Sequence, residues 1–127
     1  MTDIKMAAME FLRLAAFGKV DQAYDAHVGP GFVHHNPYFH GDRESLRAAM
    51  AEAARTTPNE VFEIQHVVCE GDFVAVHSRL RKKGAAGDVA VIHFFRFEEE
   101  KIVELWDVGQ RPLTRRMSAG CSSSRRR

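Results

Sequence analysis

Three histidines and one aspartate fall in four successive apolar stretches of the chain. These residues are His66, His77, His93 and Asp107. A carboxylate beside imidazoles in apolar surroundings is suited to general acid and base catalysis, because desolvation and neighbouring charges bring its pKa towards neutrality. The residue types therefore predict proton-transfer chemistry, provided that the fold brings the four side chains together.

Short connections between the stretches decide whether the side chains meet, because loop length fixes the register of a β-hairpin. The predicted loops are two residues at 71–72 and three residues each at 84–86 and 99–101. With these loops the directly opposed pairs are His66 with His77, His77 with His93, and His93 with Asp107. Opposed residues share a sheet face, with Cβ atoms about 5 Å apart. The sequence thus predicts one transverse row of four polar residues.

The residues that flank this row on the same face are apolar, which predicts a polar stripe inside an apolar pocket. They are Phe73, Ala75, Val91, Phe95, Val103 and Leu105. Those predicted to contact a small apolar ligand or substrate are Phe73, Val91, Phe95 and Leu105. Lys82 and Lys83, beside a predicted turn, are expected to form a solvated surface pair.

Two other interpretations of the row stay open at this point. A histidine on an apolar face is often a core residue whose hydrogen bonds are satisfied. Histidines on neighbouring strands can also bind zinc or iron with the help of a carboxylate. Because the predicted row is linear rather than convergent, we predict no metal.

The elements that must position the row are three helices followed by an antiparallel sheet. One-sided apolar spacing predicts helices over residues 3–17, 20–27 and about 42–55. After Pro58 the apolar period becomes that of extended chain, which predicts strands over 60–70, 73–82, 88–97 and 102–110. A fifth, shorter strand is expected around 32–36. The short connections make the four long strands antiparallel neighbours.

The strand predicted at 88–97 carries apolar residues on both of its faces. An antiparallel sheet with one face in water would show alternation instead. The helices can cover one face. We therefore predict that the other face packs against a second copy of the chain in a two-fold homodimer.

The chain of 127 residues suits one domain, predicted over 1–113, with a Ser- and Arg-rich tail over 114–127 that is predicted to be disordered. Six of the 18 Lys and Arg residues lie in 111–127, which leaves 12 against 17 acidic residues in the body. An acidic body argues against nucleic acid as a partner.

Two cysteines do not make a disulfide framework and fit a reducing compartment. The first residues lack the basic start and apolar run of an export signal, and no apolar stretch is long enough to span a bilayer. The expected location is the cytoplasm, without a membrane partner.

Three segments resemble SnoaL-like proteins of the NTF2-like superfamily. The most specific one is residues 94–110, with Trp106-Asp107-Val108-Gly109-Gln110 at its end. His35-Asn36-Pro37 resembles an extended motif of those proteins, and residues 70–77 resemble their middle hairpin. The resemblance covers roughly residues 4–112. It implies an α+β cone in which about three helices pack on a strongly curved, antiparallel or mixed sheet and enclose a pocket.

The resemblance also implies roles for individual residues. Polyketide cyclases of this family catalyse an intramolecular aldol condensation without metal or cofactor, and Asp107 matches their catalytic aspartate. His93 matches a pocket histidine of the cyclases. The motif places His35 in the pocket rather than His34, and it adds Asn36 as a substrate contact. Phe39 is expected to belong to the pocket lid.

Two functional hypotheses follow. The first is a cofactor-independent enzyme that acts on a small apolar carbonyl compound by proton transfer, of the aldol-condensation, cyclase or isomerase type. Asp107 would be the acid and base, His93 would orient it, and His77 and His35 would donate hydrogen bonds to a developing oxyanion. The second is a noncatalytic module that binds a small ligand or serves in dimerisation.

Overall fold

The computed structural model describes residues 3–35 and 41–111. The helices are α1 (Ile4–Ala16), α2 (Val20–His27) and α3 (Arg43–Thr56). The strands are β1 (Val28–His34), β2 (Asn59–Glu70), β3 (Phe73–Lys82), β4 (Val89–Glu98) and β5 (Lys101–Gln110). The predicted tail lies outside the described residues.

The three helices occur where the apolar spacing predicts them, and two of them carry side-chain caps. Asp3 accepts a hydrogen bond from the backbone N–H of Lys5 at 2.9 Å, and Asp42 accepts one from that of Ser45 at 2.9 Å. Such caps satisfy donors that the first helical turn leaves unpaired. The apolar stripe of α1 is buried, including Phe11 and Leu12.

The five strands form one mixed sheet in the order β1-β5-β4-β3-β2. Strand β1 runs parallel to β5, and all other neighbours are antiparallel. This confirms the predicted α+β architecture. The short strand begins at Val28 rather than near residue 32, because Gly29-Pro30-Gly31 continues as extended chain instead of ending the preceding helix with a loop. Proline is tolerated there because β1 is an edge strand.

The hairpin between β2 and β3 has the predicted register. Gly71 adopts a left-handed φ of 60°, and Glu70 pairs with Phe73, so His66 lies opposite His77. Glycine reaches this φ without the steric cost that a Cβ atom would bring.

The register predicted between β3 and β4 is wrong by one residue. His93 lies opposite Val76, and His77 lies opposite Ile92. Regular pairing stops at Leu80 and Val89, and residues 81–88 form a longer excursion than a three-residue loop. Asp88 anchors this excursion through hydrogen bonds from Arg79 at 2.7 Å and Arg81 at 3.2 Å. Because side chains alternate, a shift of one residue moves His77 to the opposite face from His93.

The last hairpin keeps the predicted pairing by a different route. Glu99 and Glu100 form a two-residue turn with φ values of 50° and 69°, and Glu98 pairs with Lys101 rather than Ile102. A bulge that leaves Val103 without a partner then shifts the register by one. His93 therefore does lie opposite Asp107, as predicted.

One face of the sheet packs against the helices and forms the core. The buried apolar residues of β3, β4 and β5 are Val74, Val76, Phe95, Phe97, Ile102 and Leu105. The other face, here called the outer face, leaves Ile92, Phe94 and Val108 exposed. No helix among the described residues has the length and apolar character needed to cross a membrane.

Candidate active site between the helices and the sheet

His93 and Asp107 face each other on the helix-covered side of β4 and β5. Both line a cavity of about 210 Å³ that α1 and α3 close from above. Its other lining residues are Phe11, Leu12, Leu46, Ala49, Met50, Ala53 and Leu105. The carboxylate is thus placed beside an imidazole within a wall that is otherwise apolar.

A second cavity of about 140 Å³ adjoins the first. The two share His93, Leu12, Met50 and Ala53, so the imidazole lies at their common boundary. The second cavity is lined further by Ala15, Ala16, Ala54, Asn59, Phe62, Leu80 and Lys82. Ligand pockets usually measure about 300–1,000 Å³. The two cavities together therefore suit a small ligand that passes the His93 ring.

The environment of His93 favours its neutral form. Burial lowers the pKa of the imidazole to about 4, while the negative charge of Asp107 acts in the opposite direction. Its Nδ1 is shielded from solvent and has no hydrogen-bond partner within residues 3–35 and 41–111. At neutral pH the pocket consequently holds an uncharged imidazole.

His77 does not belong to this site, which corrects the predicted row. It lies on the outer face with His66, and their Nδ1 atoms are 3.0 Å apart. A hydrogen bond between two imidazole nitrogens needs one of them to carry a proton. The two histidines satisfy each other there, separated from the pocket by the thickness of the sheet.

His35 also lies on the outer face, contrary to the sequence-based expectation. Its Nε2 lies 2.7 Å from Oε2 of Glu104, and its ring stacks on Trp106 at 4.8 Å between centroids. His34 is the residue that turns inward, with 3% exposure. The reason is the parallel pairing of β1 with β5, which sets His34 beside the buried Leu105.

The predicted apolar contacts divide among three locations. Leu105 lines the larger cavity, whereas Phe95 lies on the same face as His93 but is packed fully into the core against Phe11. Val91 lies on that face too, opposite Ser78. Phe73 is on the outer face, stacked on Phe94 at 5.3 Å, because the corrected register reverses its direction. Asn36 and Phe39 lie outside the described residues.

Lys82 and Asn59 line the smaller cavity, although the sequence interpretation did not assign them to a site. Lys82 was expected to be solvated like Lys83, but only Lys83 is exposed. The alternation of side chains along β3 could have predicted this position. An even number of residues separates Lys82 from the inward-facing Val76 and Ser78, so its side chain points to the same face.

The histidines do not converge on a metal position. Within the parts of the chain that the structure describes, no group of three or more His, Cys, Asp or Glu side chains could hold an ion.

Residues 9–105 match the model of a family described as the SnoaL-like domain. No curated protein sequence matches the chain significantly.

Solved structures with the same fold come from several bacteria. An NTF2-like protein of unknown function from Burkholderia xenovorans has a TM-score of 0.72 at 16% identity, over 95% of both chains. IdmH from Streptomyces antibioticus, provisionally described as a polyketide cyclase, has a TM-score of 0.71 at 16% identity, over 85% of this chain and 92% of its own. An LEH-like epoxide hydrolase from M. tuberculosis has a TM-score of 0.68 at 19% identity, over 84% and 82%. These similarities show the fold.

Proposed function

Because the chain belongs to the SnoaL-like domain family, with residues 9–105 matching that family, we propose that it is an enzyme that moves a proton on a small apolar carbonyl compound. No metal or cofactor takes part in the proposed reaction. The observation that carries the proposal is the position of Asp107 directly beside His93 in a helix-covered, mostly apolar cavity.

Asp107 is the proposed general base and acid. A carboxylate in an apolar cavity can remove a proton from the carbon next to a carbonyl group and return it at another position. Proton removal of this kind is the first step of both aldol condensation and double-bond isomerisation. The provisional description of IdmH as a polyketide cyclase is compatible with aldol condensation. The proposal itself rests on Asp107 and His93 of this chain.

His93 is the proposed hydrogen-bond donor to the substrate oxygen. With its pKa lowered to about 4, the ring stays neutral near pH 7 and does not act as a cation. The neutral ring carries one N–H group, which donates a hydrogen bond to the enolate oxygen that forms as the proton leaves. The mostly apolar lining of the cavity supports this role, because a fixed donor in low dielectric stabilises developing charge strongly.

The test is deuterium exchange at the methyl group next to the carbonyl of 4-hydroxyacetophenone in D₂O, followed by NMR. The native chain is expected to accelerate exchange, and Asp107→Asn is expected to lower that rate at least about 100-fold, the usual contribution of a general base. Glu104→Gln is the matched control, since Glu104 lies on the same strand but pairs with Arg96 on the outer face.

A noncatalytic binding module is the alternative outcome of this test. It follows if 4-hydroxyacetophenone binds in the cavity while the exchange rate of the native chain equals that of Asp107→Asn. The small size and apolar lining of both cavities fit a binding function as well as catalysis.

The outer face supports a second proposal, a homodimer. Its centre is apolar, with Phe73, Phe94 and Trp106 packed against one another. Ion pairs lie at its two ends, formed by Arg79 with Glu63 and Asp88 and by Arg96 with Glu98 and Glu104. An apolar centre with a charged rim is the usual anatomy of a protein interface. A second copy is the proposed occupant because both faces of β4 carry apolar residues.

A further inference from the structure

The smaller cavity ends at a pair of polar residues that the proposed proton transfer does not use. Asn59 and Lys82 are directly opposed at the ends of β2 and β3. Opposed residues share a sheet face with Cβ atoms about 5 Å apart. Both line the smaller cavity, and His93 lines it too.

Asn59 lines this end of the cavity and carries an acceptor that has no partner among the described residues. Its Nδ2 donates a hydrogen bond to the backbone oxygen of Ala16 at 2.7 Å. That bond fixes the direction of the amide, because a backbone oxygen can only accept. Oδ1 is consequently turned away from Ala16, and it is buried without a hydrogen-bond partner among the described residues. A buried acceptor in this condition costs free energy unless a ligand or water donates to it.

Lys82 presents donors to the same end. Burial lowers the pKa of its amine, and no neighbouring charge contributes to that shift. The amine thus lacks a carboxylate partner within the described part of the chain. Its ammonium form has three donors and no acceptor.

We propose that Asn59 and Lys82 bind a hydroxyl group of the substrate, which is therefore a small hydroxylated carbonyl compound. A hydroxyl oxygen accepts from Lys82 while its proton is donated to Asn59, so one group satisfies both residues. A carboxylate would satisfy Lys82 but place negative charge against the Asn59 oxygen. An alkyl group would leave both residues unpaired.

His93 lines both cavities, so a substrate that occupies both has one end in each of them. The carbonyl end lies in the cavity that contains Asp107, and the hydroxyl end lies in the cavity that contains Asn59 and Lys82. The assignment of the carbonyl end rests on the proposed function. The assignment of the hydroxyl end rests on the two polar residues alone.

The experiment compares the dissociation constants of 4-hydroxyacetophenone and acetophenone by isothermal titration calorimetry. Measurements use the native chain and Asp107→Asn. Two hydrogen bonds gained on binding predict about tenfold tighter binding of the hydroxylated probe. Lys82→Met is expected to reduce this preference to about twofold or less. Lys83→Met, which removes the same charge from an exposed neighbour, is expected to retain the full preference.

A third probe makes the test independent of whether Lys82→Met folds. The ether oxygen of 4-methoxyacetophenone accepts a hydrogen bond from Lys82 but cannot donate one to Asn59, so this probe should bind more weakly than 4-hydroxyacetophenone. The proposal is overturned by equal binding of the hydroxylated and unsubstituted probes, by binding of neither, or by a preference that survives Lys82→Met.

The two proposals fail in different measurements. If the proposed proton transfer is incorrect, the exchange rate does not respond to Asp107→Asn, but the hydroxyl preference remains. If the hydroxyl site is incorrect, the preference is absent, but exchange still depends on Asp107.

Discussion

At the scale of single residues, burial decides which titratable groups can do chemistry. His93 and Asp107 are the two members of the predicted row that the fold brings together on the covered face. His66 and His77 have the same side chain as His93, yet they bond to each other on the outer face. The chemical role of an imidazole here follows from its strand register rather than from its residue type.

The lowered pKa of His93 predicts that the folded chain loses stability in acid. In the unfolded chain the imidazole takes up its proton near its ordinary pKa of 6.5, whereas in the folded chain it does so near 4. Between these values the unfolded state binds more protons, so the free energy of unfolding falls as the pH falls through this window. The whole window is worth up to about 3 kcal/mol.

Urea unfolding of the native chain and of His93→Leu at about pH 7 and about pH 4.5 measures this contribution. The native chain should lose more stability than the variant on acidification. His66→Gln, which removes an exposed histidine, should behave like the native chain. Equal losses in the native chain and His93→Leu would contradict the assignment.

At the scale of elements, periodicity predicted what the segments are, but not always how they align. The helices and the four long strands follow from apolar spacing, which each element carries in its own residues. Register depends on loops, and loops depend on contacts between distant side chains. Asp88 holds the chain between β3 and β4 through Arg79 and Arg81, and no local pattern in 84–86 reveals those bonds. Of the three pairings predicted for the row, His66 with His77 and His93 with Asp107 were therefore correct, and His77 with His93 was wrong.

The turn between β4 and β5 contains two glutamates with left-handed backbone conformations. A non-glycine residue in this conformation costs roughly 1–2 kcal/mol, and two-residue hairpin turns of this shape favour Asn-Gly. The double substitution Glu99→Asn and Glu100→Gly is therefore expected to raise the free energy of unfolding by about 1 kcal/mol or more. Urea unfolding measures the gain.

Gly71→Ala provides the opposite control, because it adds a Cβ atom at a φ of 60° in the neighbouring hairpin. It should destabilise the chain. A double variant of the glutamate turn that is no more stable than the native chain would show that this conformation carries no strain.

At the scale of the whole molecule, the sheet separates two different surfaces. The helix-covered face holds the two cavities that His93 lines, and the outer face holds the exposed apolar residues together with the paired His66 and His77. The sequence indicated that both faces of β4 need cover, because both carry apolar side chains. Which histidines belong to which face could not be predicted without the register of the whole sheet.

The homodimer proposal predicts that a charge at the centre of the outer face separates the chains. Phe94 is 38% exposed and lies between Phe73 and Trp106, at 5.3 Å and 5.4 Å between ring centroids. In a dimer formed through this face, Phe94→Glu would bury an unpaired carboxylate on each side of the interface. The free energy of association would then become unfavourable, because each carboxylate loses its hydration without gaining a partner. Sedimentation equilibrium should therefore show twice the chain mass for the native protein and the single chain mass for Phe94→Glu.

Met6→Glu separates loss of the interface from a general effect of added charge. Met6 is 58% exposed on α1, away from the outer face, so this variant should remain dimeric. Exchange of 4-hydroxyacetophenone adds a second criterion, because the cavity and the outer face lie on opposite sides of the sheet. A monomeric Phe94→Glu chain that stays folded should retain its exchange activity. A native chain of single mass, or a Phe94→Glu chain that keeps the double mass, would rule out this face as the interface.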